Sequence, residues 1–286
     1  MRMATRSWED RFFGPVQFGG NAITSIRSAI LHGVDLPRIF EIRGCVKKRG
    51  GSEAYFQDFE NSLTNNPVKR KHFLHIESEL VGLDSVAWAY LKAKVVPLFG
   101  KKNPPRGWQA AFDMLNQAKA FNYLRRYGCT EVAFVPESTV PGQKTPDLRG
   151  NRLTKHVLCE VKTFNVSDIE AAARTQMRAR FIQGKLPDAF FAKLTSTLQT
   201  AHKQMASYLP GSDAQQIVYV ILNFDDGLHE YVDGYLEQIR SFCMSTQNPQ
   251  IEIVIDTKPA YYSATSESSA SRLFLHSAER PWRELS

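Results

Sequence analysis

The chain has 286 residues, 43% hydrophobic and 23% charged, the make-up of an ordinary globular protein. That excludes a disordered, collagenous or coiled-coil chain as a whole. The net charge of +7 sits in the first third: residues 1–106 hold 17 Lys and Arg against 10 Asp and Glu, while residues 107–286 hold 19 of each. A basic part joined to a neutral one suits a polyanionic partner, nucleic acid first, or else serves as a solubilising surface.

In chain order, residues 1–100 predict a mainly helical, basic region suited to DNA binding or dimerisation. Ile23–Leu31 has the spacing of a short helix. Phe40–Val46 reads as a strand followed by a turn, and Lys71–Phe99 as helix broken at Gly82. Residues 100–107, with two prolines and two glycines, read as a linker to a second domain at 107–286. There, Trp108–Tyr127 predicts one amphipathic helix with Phe112, Leu115, Ala118, Phe121 and Leu124 as its buried stripe and Gly128 as its stop. Strands follow at Glu131–Val135, at a segment ending near Asp147, and at His156–Phe164. After a polar helical stretch, Leu186–Leu209 reads as helix. Ile217–Asn223 is so apolar that it predicts a strand buried on both faces. Tyr231–Met244 reads as helix and Ile251–Ile255 as strand. The order predicts an α/β fold with a mixed central sheet flanked by helices.

Four scattered cysteines, without a Cys-x-x-Cys pair, argue against a disulfide framework or zinc ribbon and for a cytoplasmic setting. No apolar run reaches the roughly 20 residues of a membrane span, and the start lacks a secretory apolar stretch, so no membrane partner is expected. There is no P-loop, no Gly-x-Ser-x-Gly elbow and no Gly-x-Gly-x-x-Gly.

The chemistry concentrates in Pro146-Asp147 and, thirteen residues after the aspartate, Glu160-Val161-Lys162. On a strand, residues two apart share a face, so Glu160 and Lys162 project together from an otherwise apolar segment. A neighbouring strand can bring Asp147 to them at the sheet edge. Two carboxylates and a main-chain oxygen, that of Val161, suit Mg²⁺ (or Mn²⁺), which polarises a phosphodiester and acidifies a water. The lysine beside them can position that water and offset transition-state charge. The bland alternative for Glu160 and Lys162 alone is an exposed ion pair.

This arrangement resembles the PD-(D/E)xK nuclease superfamily, whose restriction-endonuclease-like core has the order α-β-β-β-α-β. The resemblance covers about 108–223, with Asp147, Glu160 and Lys162 at the motif positions, and says nothing of residues 1–100. Gln204 and Tyr208, four apart on one helix face, are similar to the Gln-x-x-x-Tyr motif of the RecB-like and lambda-exonuclease branch. The resemblance implies a metal-dependent DNA nuclease, with endonucleolytic cleavage expected, acting in prokaryotic or phage DNA defence, recombination or repair. It implies duplex DNA as partner and allows a homodimer. Catalytic roles fall to Asp147, Glu160, Lys162, Gln204 and Tyr208, and metal ligation to Asp147, Glu160 and Val161. Lys144, Arg149, Arg152 and Lys155 around the aspartate, with Arg174 and Arg178 after the motif strand, are candidates for the DNA backbone. One departure stands out: the first helix offers Asn116 and Gln117 where many members carry a glutamate. That keeps a second reading in play, a non-catalytic nucleic-acid-binding or assembly protein on a degenerate nuclease fold.

Overall fold

The computed structural model describes residues 35–49, 55–56, 59–100, 108–165, 184–223, 231–245, 251–257 and 273–275. The Ile23–Leu31 helix, most of the 100–107 linker and the polar stretch after the motif strand lie outside them, as do Arg174 and Arg178. The described residues fall into two compact units: those within 35–81 and 92–112, and those within 82–91, 113–165 and 184–275.

The first unit is helical. It holds α1 (Pro37–Lys48), α2 (Phe59–Asn65), α3 (Pro67–Val81), the second half of α4 (Ser85–Phe99) and the start of α5 (Gln109–Leu115). Its core is aromatic: Tyr55 lies 4.9 Å from Phe99 and 5.1 Å from Trp108 between ring centres, and Phe59 lies 4.9 Å from Phe73. The expected strand at Phe40–Val46 is helix α1 instead. Pro37 opens it, and its buried Ile39, Ile42 and Val46 recur at helical rather than alternating spacing. The carboxylate of Glu77, on α3, accepts the Arg38 and Ile39 N–H groups at 2.9 and 3.0 Å, capping α1 with negative charge where its dipole is positive. Glu77 is buried there, and that burial raises its pKa against these hydrogen bonds.

The second unit is built on a six-stranded sheet in the order β1 (Thr130–Phe134), β2 (Leu148–Arg152), β3 (Lys155–Phe164), β4 (Gln215–Leu222), β5 (Ile251–Thr257), β6 (Leu273–Leu275). β3, β4 and β5 run parallel, and the other neighbours are antiparallel, so the sheet is mixed. Parallel neighbours need crossovers. Helices α7 (Asp188–Tyr208) and α8 (Val232–Ser245) stand between those strands in the sequence. They cover one face, where Leu194, Leu198 and Ile239 pack on Leu158, Val218, Val220 and Ile253. The apolar β4 is buried on both faces, as its composition predicts.

The helix expected over Trp108–Tyr127 is two, α5 and α6 (Gln117–Arg126), separated at Asn116. Instead of one stripe, every residue from Ala118 to Leu124 is buried. The turn at Gly82, just before α4, comes so close to α6 that a Cβ there would meet the Asn122 side chain at 2.5 Å. Gly128, at φ +89°, ends α6 as predicted: its N–H bonds the Arg125 carbonyl, and the Cys129 N–H bonds that of Leu124, a Schellman stop.

Candidate active site

The β2–β3 ladder sets the site. Its last pair is Leu148 with Cys159, so Asp147 and Glu160 are the next residues along, just where pairing ends. The second strand thus begins after Asp147 rather than ending near it. The Asp147 N–H lies against the Glu160 carboxylate. Glu160 and Lys162 share the β3 face that carries Leu158 and Phe164 into the α7–α8 core. Glu160 is 3% exposed, and the ammonium of the partly exposed Lys162 sits 2.5 Å from its Oε1.

Each carboxylate is held from two sides. Asp147 Oδ1 accepts the Gln117 amide at 2.9 Å, and Oδ2 accepts the Val161 N–H at 2.8 Å. Glu160 Oε2 accepts the Gln204 amide at 2.9 Å. The same Gln204 nitrogen donates to the Thr145 carbonyl at 2.5 Å, tying α7 to the loop before Pro146-Asp147. Both glutamines face only acceptors, which fixes the contacting atom as the NH₂ group.

Burial pushes Glu160 up from 4.5 to about 7; the neighbouring Asp147 charge adds to that and Lys162 opposes it. Asp147 is raised too, by burial first, against the Val161 N–H and the Lys162 charge. Two acids crowded around one ammonium make a pocket short of positive charge. This donor set fits a divalent cation: two carboxylates, and the Val161 carbonyl, which on a strand points to the same edge as its N–H. No group of three or more His, Cys, Asp or Glu side chains suited to a metal occurs among the described residues, so a cation held here would draw on main-chain oxygen and water as well.

Asp147, Glu160, Val161, Lys162 and Gln204 therefore come together. Tyr208, one turn beyond Gln204, packs against the α7–α8 core. Lys144 and Arg149 are exposed. Arg152 and Lys155 stand at the far end of the β2–β3 hairpin, where the Arg152 guanidinium lies 3.8 Å over the Tyr127 ring and Lys155 pairs with Asp213 at 3.1 Å. The sequence marks Gln117 only as a departure from the expected glutamate, not as a partner of Asp147. Sequence reasoning missed the Thr145 carbonyl, for which a backbone atom gives no sequence signal. It also missed a second polar cluster: Lys119, on α6, meets Asp256 of β5 at 3.3 Å, and Tyr219 donates to the same Oδ2 at 2.6 Å. Lys119 and Asp256 are 4% and 0% exposed. The visible sign was an acid inside the apolar strand Ile251–Thr257.

No helix among the described residues is long and apolar enough to cross a membrane. Set against known proteins, the chain matches no family model, and no curated protein or solved structure is similar to it at a significant level.

Proposed function

We propose that the chain is a metal-dependent nuclease of the restriction-endonuclease-like type, hydrolysing phosphodiester bonds within duplex DNA. The observation that carries this reading is the meeting of Asp147, Glu160 and Lys162 at the end of the β2–β3 ladder, with the Lys162 ammonium 2.5 Å from Glu160. Prokaryotic or phage defence, recombination and repair are the settings it suits.

Asp147, Glu160 and the Val161 carbonyl would hold Mg²⁺ or Mn²⁺. When bound, the ion supplies Lewis acidity toward a phosphoryl oxygen and lowers the pKa of a water. The chain's own groups do the rest. Gln117 and the Val161 N–H keep Asp147 from rotating away, and Gln204 does the same for Glu160. Such supporting bonds matter because small errors in placement cost rate steeply. Lys162 Nζ orients the attacking water and stabilises charge gathering on the phosphoryl oxygens. Lys144 and Arg149, exposed on the loop and strand flanking Asp147, offer backbone contacts whose strength falls with salt.

A second reading, a binding or assembly protein on a nuclease-like fold, is favoured by one observation. All four oxygens of the two acids already accept bonds from the chain itself. The test is incubation with supercoiled plasmid and with linear duplex, in Mg²⁺ or Mn²⁺ against EDTA, beside Lys162→Ala. Metal-dependent nicking lost in the variant supports the endonuclease. Digestion of linear DNA alone changes the reading to an exonuclease. DNA binding without cleavage in either metal supports the second reading.

A further inference from the structure

The far end of the β2–β3 hairpin is built unlike an ordinary turn. Arg152 pairs with Lys155, so the loop has two residues, Leu153 and Thr154. Leu153 has φ +54°, at the first loop position, which glycine favours. A branched side chain in the left-handed region is strained, and strain of this kind persists where the surroundings enforce it. The side chain gains nothing by way of burial: at 94% exposed it is the most open large apolar residue among those described. The other left-handed non-glycine residue among the described residues, Glu131 at φ +51°, lies in the same corner, at an irregularity in the β1–β2 pairing.

The hairpin beneath the leucine is braced on both strands. Asn151 donates to Glu131 at 2.7 Å and meets His156 Nδ1 at 2.9 Å. Arg152 is stacked on Tyr127, and Lys155 is paired with Asp213. An apolar side chain is thus held out at a turn flanked by two cations, one stacked on an aromatic ring and the other in an exposed ion pair that a phosphate can replace. Apolar wedges so placed enter base steps of duplex DNA, partly unstacking them while nearby cations hold the backbone.

We propose that Leu153 is such a wedge, inserted into the base stack of duplex DNA bound along the β2–β3 hairpin; the proposal rests on the nuclease reading for its choice of DNA. Leu153 lies six residues from Asp147, roughly 20 Å of strand. At about 3.4 Å per base pair, the opened step falls about six base pairs from the cut.

The test uses the full-length protein and duplexes carrying one 2-aminopurine each, at successive steps. Fluorescence is read in EDTA, and cleavage of the same duplexes is mapped in Mg²⁺. The decisive variant is Leu153→Gly, because glycine relieves the left-handed strain. A wedge predicts a fluorescence rise confined to one or two steps about six base pairs from the cut. It also predicts that Leu153→Gly abolishes the rise and weakens duplex binding about tenfold, about 1.4 kcal/mol, while its Tm goes up. A turn residue with no further role predicts the higher Tm with binding and fluorescence unchanged, and that result overturns the proposal. Cleavage by the wild-type protein with no fluorescence rise at any step sinks the wedge and leaves the nuclease reading standing. A Leu153-dependent rise without cleavage supports the wedge and sinks the nuclease reading instead.

Discussion

Glu160→Gln separates what the site costs in stability from what it is built to do. Glu160 is 3% exposed, with a pKa pushed from 4.5 to about 7 by burial and by the Asp147 charge. The folded state therefore holds the proton more tightly than the unfolded one. Below pH 4.5 both states are protonated and the residue imposes no penalty. As pH rises through the interval to about 7, the unfolded chain ionises first and folding stability is lost. At about 1.4 kcal/mol per pKa unit, the loss above pH 7 is about 3 kcal/mol. Glutamine has the shape of the protonated acid and does not titrate. In urea unfolding with EDTA, Glu160→Gln should match the wild-type protein near pH 4.5 and exceed it by about 3 kcal/mol at pH 8. Mg²⁺ at pH 8 should stabilise the wild-type protein and leave the variant unmoved, because the ion binds the folded carboxylate. A variant no more stable than wild type at pH 8, or a difference independent of pH, would refute the account of Glu160 as a buried, under-compensated charge.

Three more outcomes follow from the same geometry. Gln117→Ala frees Asp147 Oδ1 and should lower plasmid cleavage about 10- to 100-fold, read as kcat with KM little changed. Gln204→Ala should act similarly through Glu160 Oε2, whereas Tyr208→Phe, altered against the hydrophobic core, should cleave like wild type; equal defects in the two would show that Tyr208 reaches the substrate. Lys119→Met leaves the fully buried Asp256 without its cation and should cost about 3–5 kcal/mol in urea unfolding. Adding Asp256→Asn should recover much of that loss, since it removes the stranded charge.

Much of the second unit is written in local pattern. Strong apolar character marks β4, and the apolar run around Glu160 marks β3. A period of two puts Glu160 and Lys162 on one face whatever the strand pairs with, and the left-handed Gly128 stops α6. These features depend on residues a few positions apart. Phe40–Val46 reads as strand from sequence because a short apolar run carries either period, and the capping carboxylate that stabilises its helix comes from Glu77, 38 positions from Ile39.

Local pattern is enough to place the strands of the second unit and to put a glutamate and a lysine on one strand face. Long-range packing sets which partners complete that pair. Asp147 reaches it because the β2–β3 register ends one residue earlier, and Gln117 joins from 30 positions upstream. Lys119 finds Asp256 across 137 positions. Such contacts arise from register and burial, which are set by the packing of the whole unit and leave little trace in neighbouring residues.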